Sequence, residues 1–247
     1  MMILALILSL LIGVALGLLG GGGSILTTPI LIYALGVDTK PAIATSLVVV
    51  GITSLAAVLQ HARAGNVVWK TGLVFGAAGM VGAYLGGFVA TWVPETVLML
   101  LFAFMMLATA VAMFRGRKAP EVGAVHADHP VWKIVAEGIS VGVVTGLVGA
   151  GGGFLVVPAL ALLGGLPMQK AVGTSLLVIA MKSFAGYAGH AAHVSIDFQL
   201  AALVSGAAVV GSFGGSAIAS RVPPDLLRRG FAVFVLVMAV FVLYPQF

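Results

Sequence analysis

The chain has 247 residues, of which 61% are hydrophobic and 8% charged, and its mean hydropathy is +1.21. A soluble domain carries roughly 25% charged residues, so one aqueous core is excluded and an integral membrane protein is indicated. The net charge of +5 comes without any Lys/Arg cluster interleaved with aromatics, which argues against nucleic acid, and the absence of cysteine excludes disulfides and thiolate chemistry.

Apolar stretches arrive as helix-length blocks broken by Gly and Pro, not as the alternating ~10-residue pattern of an outer-membrane barrel. In chain order they are 2–19, 24–36, 42–60, 68–91 and 96–114, then 132–149, 153–165, 171–189, 197–219 and 229–246. The first lacks a basic n-region and an A-x-A site, so it reads as a structural helix and not a signal peptide. The second block of each half is short. About 13 residues reach only ~20 Å, against a hydrocarbon core of ~30 Å. Between the halves lies the polar stretch RGRKAPEVGAVHADHP.

The two halves match at a constant offset of 129. Pro29 meets Pro158, Thr45-Ser46 meets Thr174-Ser175, His61 meets His190, Gly82 and Gly86 meet Gly211 and Gly215, and Pro94 meets Pro223. Internal duplication of this kind marks many transporters. The expected fold is all-α: two inverted-topology repeats of about five segments, with short broken helices after Gly-rich turns. The divisions are 1–114 (first transmembrane repeat), 115–130 (cytoplasmic linker) and 131–247 (second repeat). If all five segments of each half cross, Arg63, Lys70, Arg115, Arg117, Lys118, Lys133, Lys170, Arg221, Arg228 and Arg229 share the linker's side. The positive-inside rule then puts the linker in the cytoplasm and both termini outside. Gly82-x-x-x-Gly86 and Gly211-x-x-x-Gly215 are read as close helix packing.

The Gly runs carry the candidate site. Irregular backbone at membrane depth survives only where protein buries it or where it lines a watery cavity. Each run ends one helix and starts the next, and a helix start offers free N–H groups and partial positive charge to an anion. The candidate substrate-binding residues are Gly20, Gly21, Gly22, Gly23, Ser24, Thr45, Ser46 and Thr53, with Gly149, Gly151, Gly152, Gly153, Thr174, Ser175 and Lys182. Ser46 and Thr53 are seven apart and share a helix face, as do Ser175 and Lys182. A lysine at mid-membrane costs ~2.5–3.5 kcal/mol on insertion scales, so Lys182 marks a substrate or ion path. His190, Lys182 and His61 are candidate proton carriers. His190 and His193 have helical spacing for a metal, but nothing completes a ligand set, so no metal and no cofactor is expected. His126, Asp128 and His129 belong to the linker, and Tyr187 is expected to pack.

The doubled G-L-x-G-x-G-G-x-x-x-x-x-P stretch, with T-S sixteen residues later and His near the end of that helix, resembles the TauE/SafE family of membrane permeases, also called sulfite exporters. The resemblance spans about 1–114 and 131–247. It implies a bacterial inner-membrane transporter for a small anion such as sulfite, sulfoacetate or another organosulfonate. The second half departs from the first where Gly153 replaces Ser24 and Lys182 replaces Thr53. No Walker motif is present, so transport is expected to be secondary, by alternating access with proton coupling. An anion channel built on the same site is the first alternative. An intramembrane serine hydrolase using Ser24 with His190 is a distant second, because no acid is placed to orient the histidine. The expected partners are the small anion and the lipid bilayer; homo-oligomerisation is left open.

Overall fold

The computed structural model describes residues 2–90, 92–115, 130–148, 153–190 and 194–243. Ten α-helices account for nearly all of them. They are α1 (Met2–Leu19), α2 (Gly22–Pro29), α3 (Thr39–Arg63), α4 (Trp69–Ala90), α5 (Glu95–Arg115), α6 (Val131–Val148), α7 (Gly153–Pro158), α8 (Met168–His190), α9 (Phe198–Ala219) and α10 (Pro224–Leu243). Segments Pro41–Arg63, Met168–Ala188 and Phe198–Ala219 are long and apolar enough to cross a membrane. Ala5–Leu19, Gly22–Ala34, Ala103–Arg115 and Gly153–Leu163 are shorter apolar helices.

Most boundaries follow the apolar blocks. The expected unwound glycine run does not extend as far as its four residues suggest. Only Gly20 and Gly21 leave the helix, and Gly22 and Gly23 already belong to α2. Helix α10 begins five residues earlier than the apolar block because Pro224 sits at its first position, where a missing N–H costs nothing. Helices α2 and α7 each end on a proline and run on as a π-helical turn, Ile30–Ala34 and Ala159–Leu163. Proline has no N–H to give and crowds the carbonyl four residues back. The helix widens, and bonds close five residues back, from Leu35 N–H to Ile30 O and from Gly164 N–H to Ala159 O.

Helices α3 and α8 form the centre and pack on each other. Helix α3 also contacts α9, and α8 contacts α4. Pairs α1–α9, α4–α6 and α5–α10 complete the bundle. The α1–α9 and α4–α6 pairs are glycine seams. Gly13 and Gly17 lie on the backbone at Ala208 and Ser212, and Gly211 and Gly215 lie on that at Leu10 and Val14. Gly82 and Gly142 do the same between α4 and α6, and a Cβ on Gly138 would come 2.8 Å from the Phe75 carbonyl. Small residues let the backbones approach this closely, where dispersion has to replace the hydrophobic effect.

These contacts also give direction. Gly13 and Gly17 meet Ala208 and Ser212 in the same order, so α1 and α9 run parallel. Ala44 clusters with Ala201, and Val49 with Val204, so α3 runs with them. Gly72, Gly76 and Gly79 of α4 meet Leu177, Met181 and Lys182 of α8, and Gly138 and Gly142 of α6 meet Phe75 and Gly79, making a second parallel set. Across the centre the order reverses. Gly51 faces Phe184, and Gly173 faces His61, so α3 and α8 are antiparallel. The core between these sets includes Ile12, Leu16, Val50, Phe154, Leu176, Ile179 and Phe231. The outer faces expose Leu11, Val81, Phe104 and Val240, the apolar band that lipid covers.

Candidate functional site

Helix α1 ends at Leu19 because Gly20 turns left-handed, at φ +73°. A side chain rarely adopts that conformation. Three of the four carbonyls at the broken end have identified donors. Gly20 N–H donates to Leu16 O at 2.8 Å, and Gly21 N–H to Leu19 O at 3.0 Å. Gly17 O takes Nε2–H of His61 at 3.1 Å and the Ser216 hydroxyl at 3.5 Å. His61 is 3% exposed, and facing a carbonyl its Nε2 has to carry the proton. It clamps a helix end.

Helix α2 then starts at Gly22 with Gly21 as its N-cap and no side chain capping it. Gly20 to Gly23 are all buried. The first amides of a helix have no partner within it. The start is therefore an electropositive backbone end inside protein. The start of α7 lies against this break. A Cβ on Gly21 would fall 2.6 Å from Phe154 Cα, and one on Gly153 would fall 2.6 Å from Ser24 Oγ. A Cβ on Gly20 would lie 2.6 Å from Ser175 Oγ. Gly149, Gly151, Gly152 and His193 lie outside the described residues, as does the side chain of His190.

The hydroxyls divide by role. Ser24 Oγ donates to Gly21 O at 2.7 Å, within its own turn. Ser175 donates to Val172 O at 2.7 Å and abuts Gly20. Thr28 donates to Ser46 Oγ at 3.0 Å, and Ser46 to Ile43 O at 2.7 Å, which ties α2 to α3. Thr174 Oγ1 accepts Val68 N–H at 3.0 Å and so holds the loop between α3 and α4. Thr45 is buried, and Thr53 is fully buried with no partner. Tyr187 packs beside Ala44, Ile196 and Ala201.

Lys182 projects from α8 toward the α4–α6 pair. Its Cδ lies near Gly79, and Nζ donates to Thr145 Oγ1 at 2.7 Å. Thr145 passes its own proton to Gly142 O at 3.0 Å. Among the described residues no carboxylate pairs with this lysine; Asp225 pairs with Arg228 instead. Thr145 stands in the last turn of α6. Lys182 therefore faces the negative end of that helix dipole. Thr28, Thr145 and Ser216 were not singled out from sequence. Each lacks a spacing signal of its own and acquires its role from a helix remote in the chain.

A family model described as Sulfite exporter TauE/SafE matches residues 5–242. A "Probable membrane transporter protein" of Xylella fastidiosa strain 9a5c is 36% identical over 240 residues, covering 95% of this chain and 92% of its own. The "Probable membrane transporter protein MJ0441" of Methanocaldococcus jannaschii is 28% identical, covering 97% and 94%. YunE of Bacillus subtilis, also described as a probable membrane transporter protein, is 30% identical over 87% of each chain. No solved structure gives a significant match. With a family match across almost its whole length, this multi-pass chain belongs to the sulfite exporter TauE/SafE family, a family of membrane transporters and not of enzymes.

Proposed function

We propose that the chain is a secondary transporter for a small anion, a sulfur oxyanion or organosulfonate such as sulfite or sulfoacetate, working by alternating access. The observation that carries this reading is the buried, side-chain-free start of α2 at Gly21–Gly22, backed directly onto Gly153 at the start of α7. Two amide ends facing one another attract negative charge without a basic side chain. Lys182, on the same face of α8 as Ser175 and two turns along it, adds a cation that no carboxylate neutralises among the described residues. The site is closed in this state. Anion entry requires the Gly21–Gly153 contact to part, which fits a carrier that moves between occluded and open forms. Proton coupling through Lys182, His190 or His61 belongs to the same proposal.

The inverted-repeat architecture is part of this reading and has its own support. Exchanging α1 with α6, α3 with α8 and α4 with α9 turns the α1–α9 and α3–α9 contacts into α6–α4 and α8–α4, each also present. It also turns one parallel set into the other, running the opposite way. Arg63 and Arg221 end α3 and follow α9, while Lys70, Lys133 and Lys170 begin α4, α6 and α8. These cations gather at one end of the bundle, which supports a cytoplasmic linker and outward-facing termini in an inner membrane.

Thermal unfolding of the purified protein with sulfite, sulfoacetate, thiosulfate and simple carboxylates tests the proposal. A ligand at 100 times its Kd stabilises the folded state by ~2.7 kcal/mol. We expect a sulfur oxyanion to raise Tm by several degrees and Lys182→Ala to abolish the rise. A rise with carboxylates alone, or a full rise in the alanine variant, refutes it. Lys182→Arg keeps fixed charge without titration, so retained binding with lost proton-driven uptake marks Lys182 as the proton carrier. The channel alternative is separated by turnover: rates far above ~10³ per second exceed what a conformational cycle allows.

A further inference from the structure

Helical Ser and Thr residues in this chain commonly return the hydroxyl proton to a carbonyl three or four residues back. Ser9 gives it to Ala5, Thr27 to Gly23, Ser46 to Ile43, Ser175 to Val172 and Ser212 to Val209. Among the described residues, three buried hydroxyls have no partner at all. Thr53 and Ser54 on α3 are 0% exposed, Ser205 on α9 is 4% exposed, and none has a hydrogen-bond partner. Buried polar groups are almost always paired, so three exceptions on two touching helices call for a physical account.

Their placement supplies one. Val49 of α3 packs on Val204 and Ala208 of α9. Thr53 lies one turn beyond Val49, and Ser205 one turn beyond Ala201, which clusters with Ala44 of α3, so both border the α3–α9 seam. Ser54 follows Thr53, about 100° further round the same helix. The position of Thr53 corresponds, 129 residues on, to that of Lys182. The second half thus carries a charged donor where the first carries the neutral pair Thr53 and Ser54, and Ser205 comes from the second half itself.

We propose that Thr53, Ser54 and Ser205 form an uncharged hydroxyl subsite for the oxygens of a small oxyanion, a second station on the route from Lys182. The sign of the ligand follows from the surroundings. Helices α1, α3 and α9 contain no Asp or Glu. A cation leaving water there meets no countercharge, whereas an oxyanion accepts three O–H donors that otherwise have no acceptor. A hydroxyl-to-oxyanion bond draws its charge assistance from the anion alone, whereas the ammonium adds a full positive charge of its own. With neutral donors on its side, this station holds the anion less tightly than the ammonium does and lets it go, as a transit point must. The inference rests on the anion-carrier reading above.

The test is uptake of sulfite and of thiosulfate into proteoliposomes by Ser54→Ala, Ser205→Ala and Thr53→Val, with Ser212→Ala as the control whose hydroxyl is already bonded. We expect each of the three to raise KM about fivefold per hydroxyl removed, and Thr53→Ser to restore it. Their Tm without anion should equal or exceed that of the parent, because an unpaired buried hydroxyl has been removed. Unchanged KM in all three overturns the subsite, as does a Tm loss as large as that of the control, since the hydroxyls would then be structurally bonded. A parent protein that moves neither anion overturns the carrier reading itself. That result is distinct, because the variants are scored against parent flux.

Discussion

His61 reaches from α3 to the carbonyl of Gly17, 44 residues away, and supplies a donor that the broken end of α1 lacks. A buried carbonyl stripped of its donor costs about 1–3 kcal/mol. His61→Ala is expected to lower the Tm of the purified protein accordingly, while His61→Gln, whose amide can still donate, should recover a large part of the loss. Equal loss in both would show that ring packing, not the hydrogen bond, is what matters. Gly20 allows no such substitute. Its backbone is left-handed, and a Cβ would press on Ser175 Oγ and on Val157 Cγ2 at 3.0 Å. Gly20→Ala should therefore cost stability and abolish uptake together, read as lost expression of folded protein in a detergent-solubilised size-exclusion profile.

Elements are held by seams, and the seams define the next expectation. Gly142 lies against the Gly79 carbonyl and 3.0 Å from Ala83 N as a Cβ would see it. Gly142→Leu should pry α4 from α6 and move Thr145, and with it the partner of Lys182, so anion binding in the thermal-shift assay should fall even where some folded protein survives. The outer seams were legible in sequence, since Gly211-x-x-x-Gly215 and Gly82 carry a packing spacing. The breaks were legible too, because lipid tolerates loose backbone only where protein closes over it. Three features were not legible. The second apolar block begins at residue 24, yet helical bonding resumes at Gly22, since the flexibility of glycine permits unwinding without enforcing it. The π-helical turns after Pro29 and Pro158 leave no periodic signature. The partner of Lys182 lies on α6, 37 residues away, and nothing in either helix alone pairs them.

At the scale of the whole molecule, the absence of native cysteine makes orientation directly measurable. Single-cysteine variants at Asp38 and Asp197, which begin the α3 and α9 ends, should react with an impermeant maleimide in intact cells. Those at Arg63 and Arg221 should react only after permeabilisation. The reverse pattern would invert the topology, and mixed labelling would break the common-direction reading of α3 and α9. The helix pairing extends further. Helix α1 is clasped by α9, α3 by α8, α4 by α6 and α5 by α10, so the long helices of the first half find their closest neighbours in the second, while α2 leans mainly on α1. Severing the backbone within 116–129 should leave two fragments that restore uptake when co-expressed, while neither inserts stably by itself. On the inverted-repeat reading, a forebear of half this length needed a second copy of itself, inserted upside down, to exist at all. On that reading, joining the copies fixes their ratio at one to one and frees each to change separately, so that one side can hold a threonine where its twin holds a lysine.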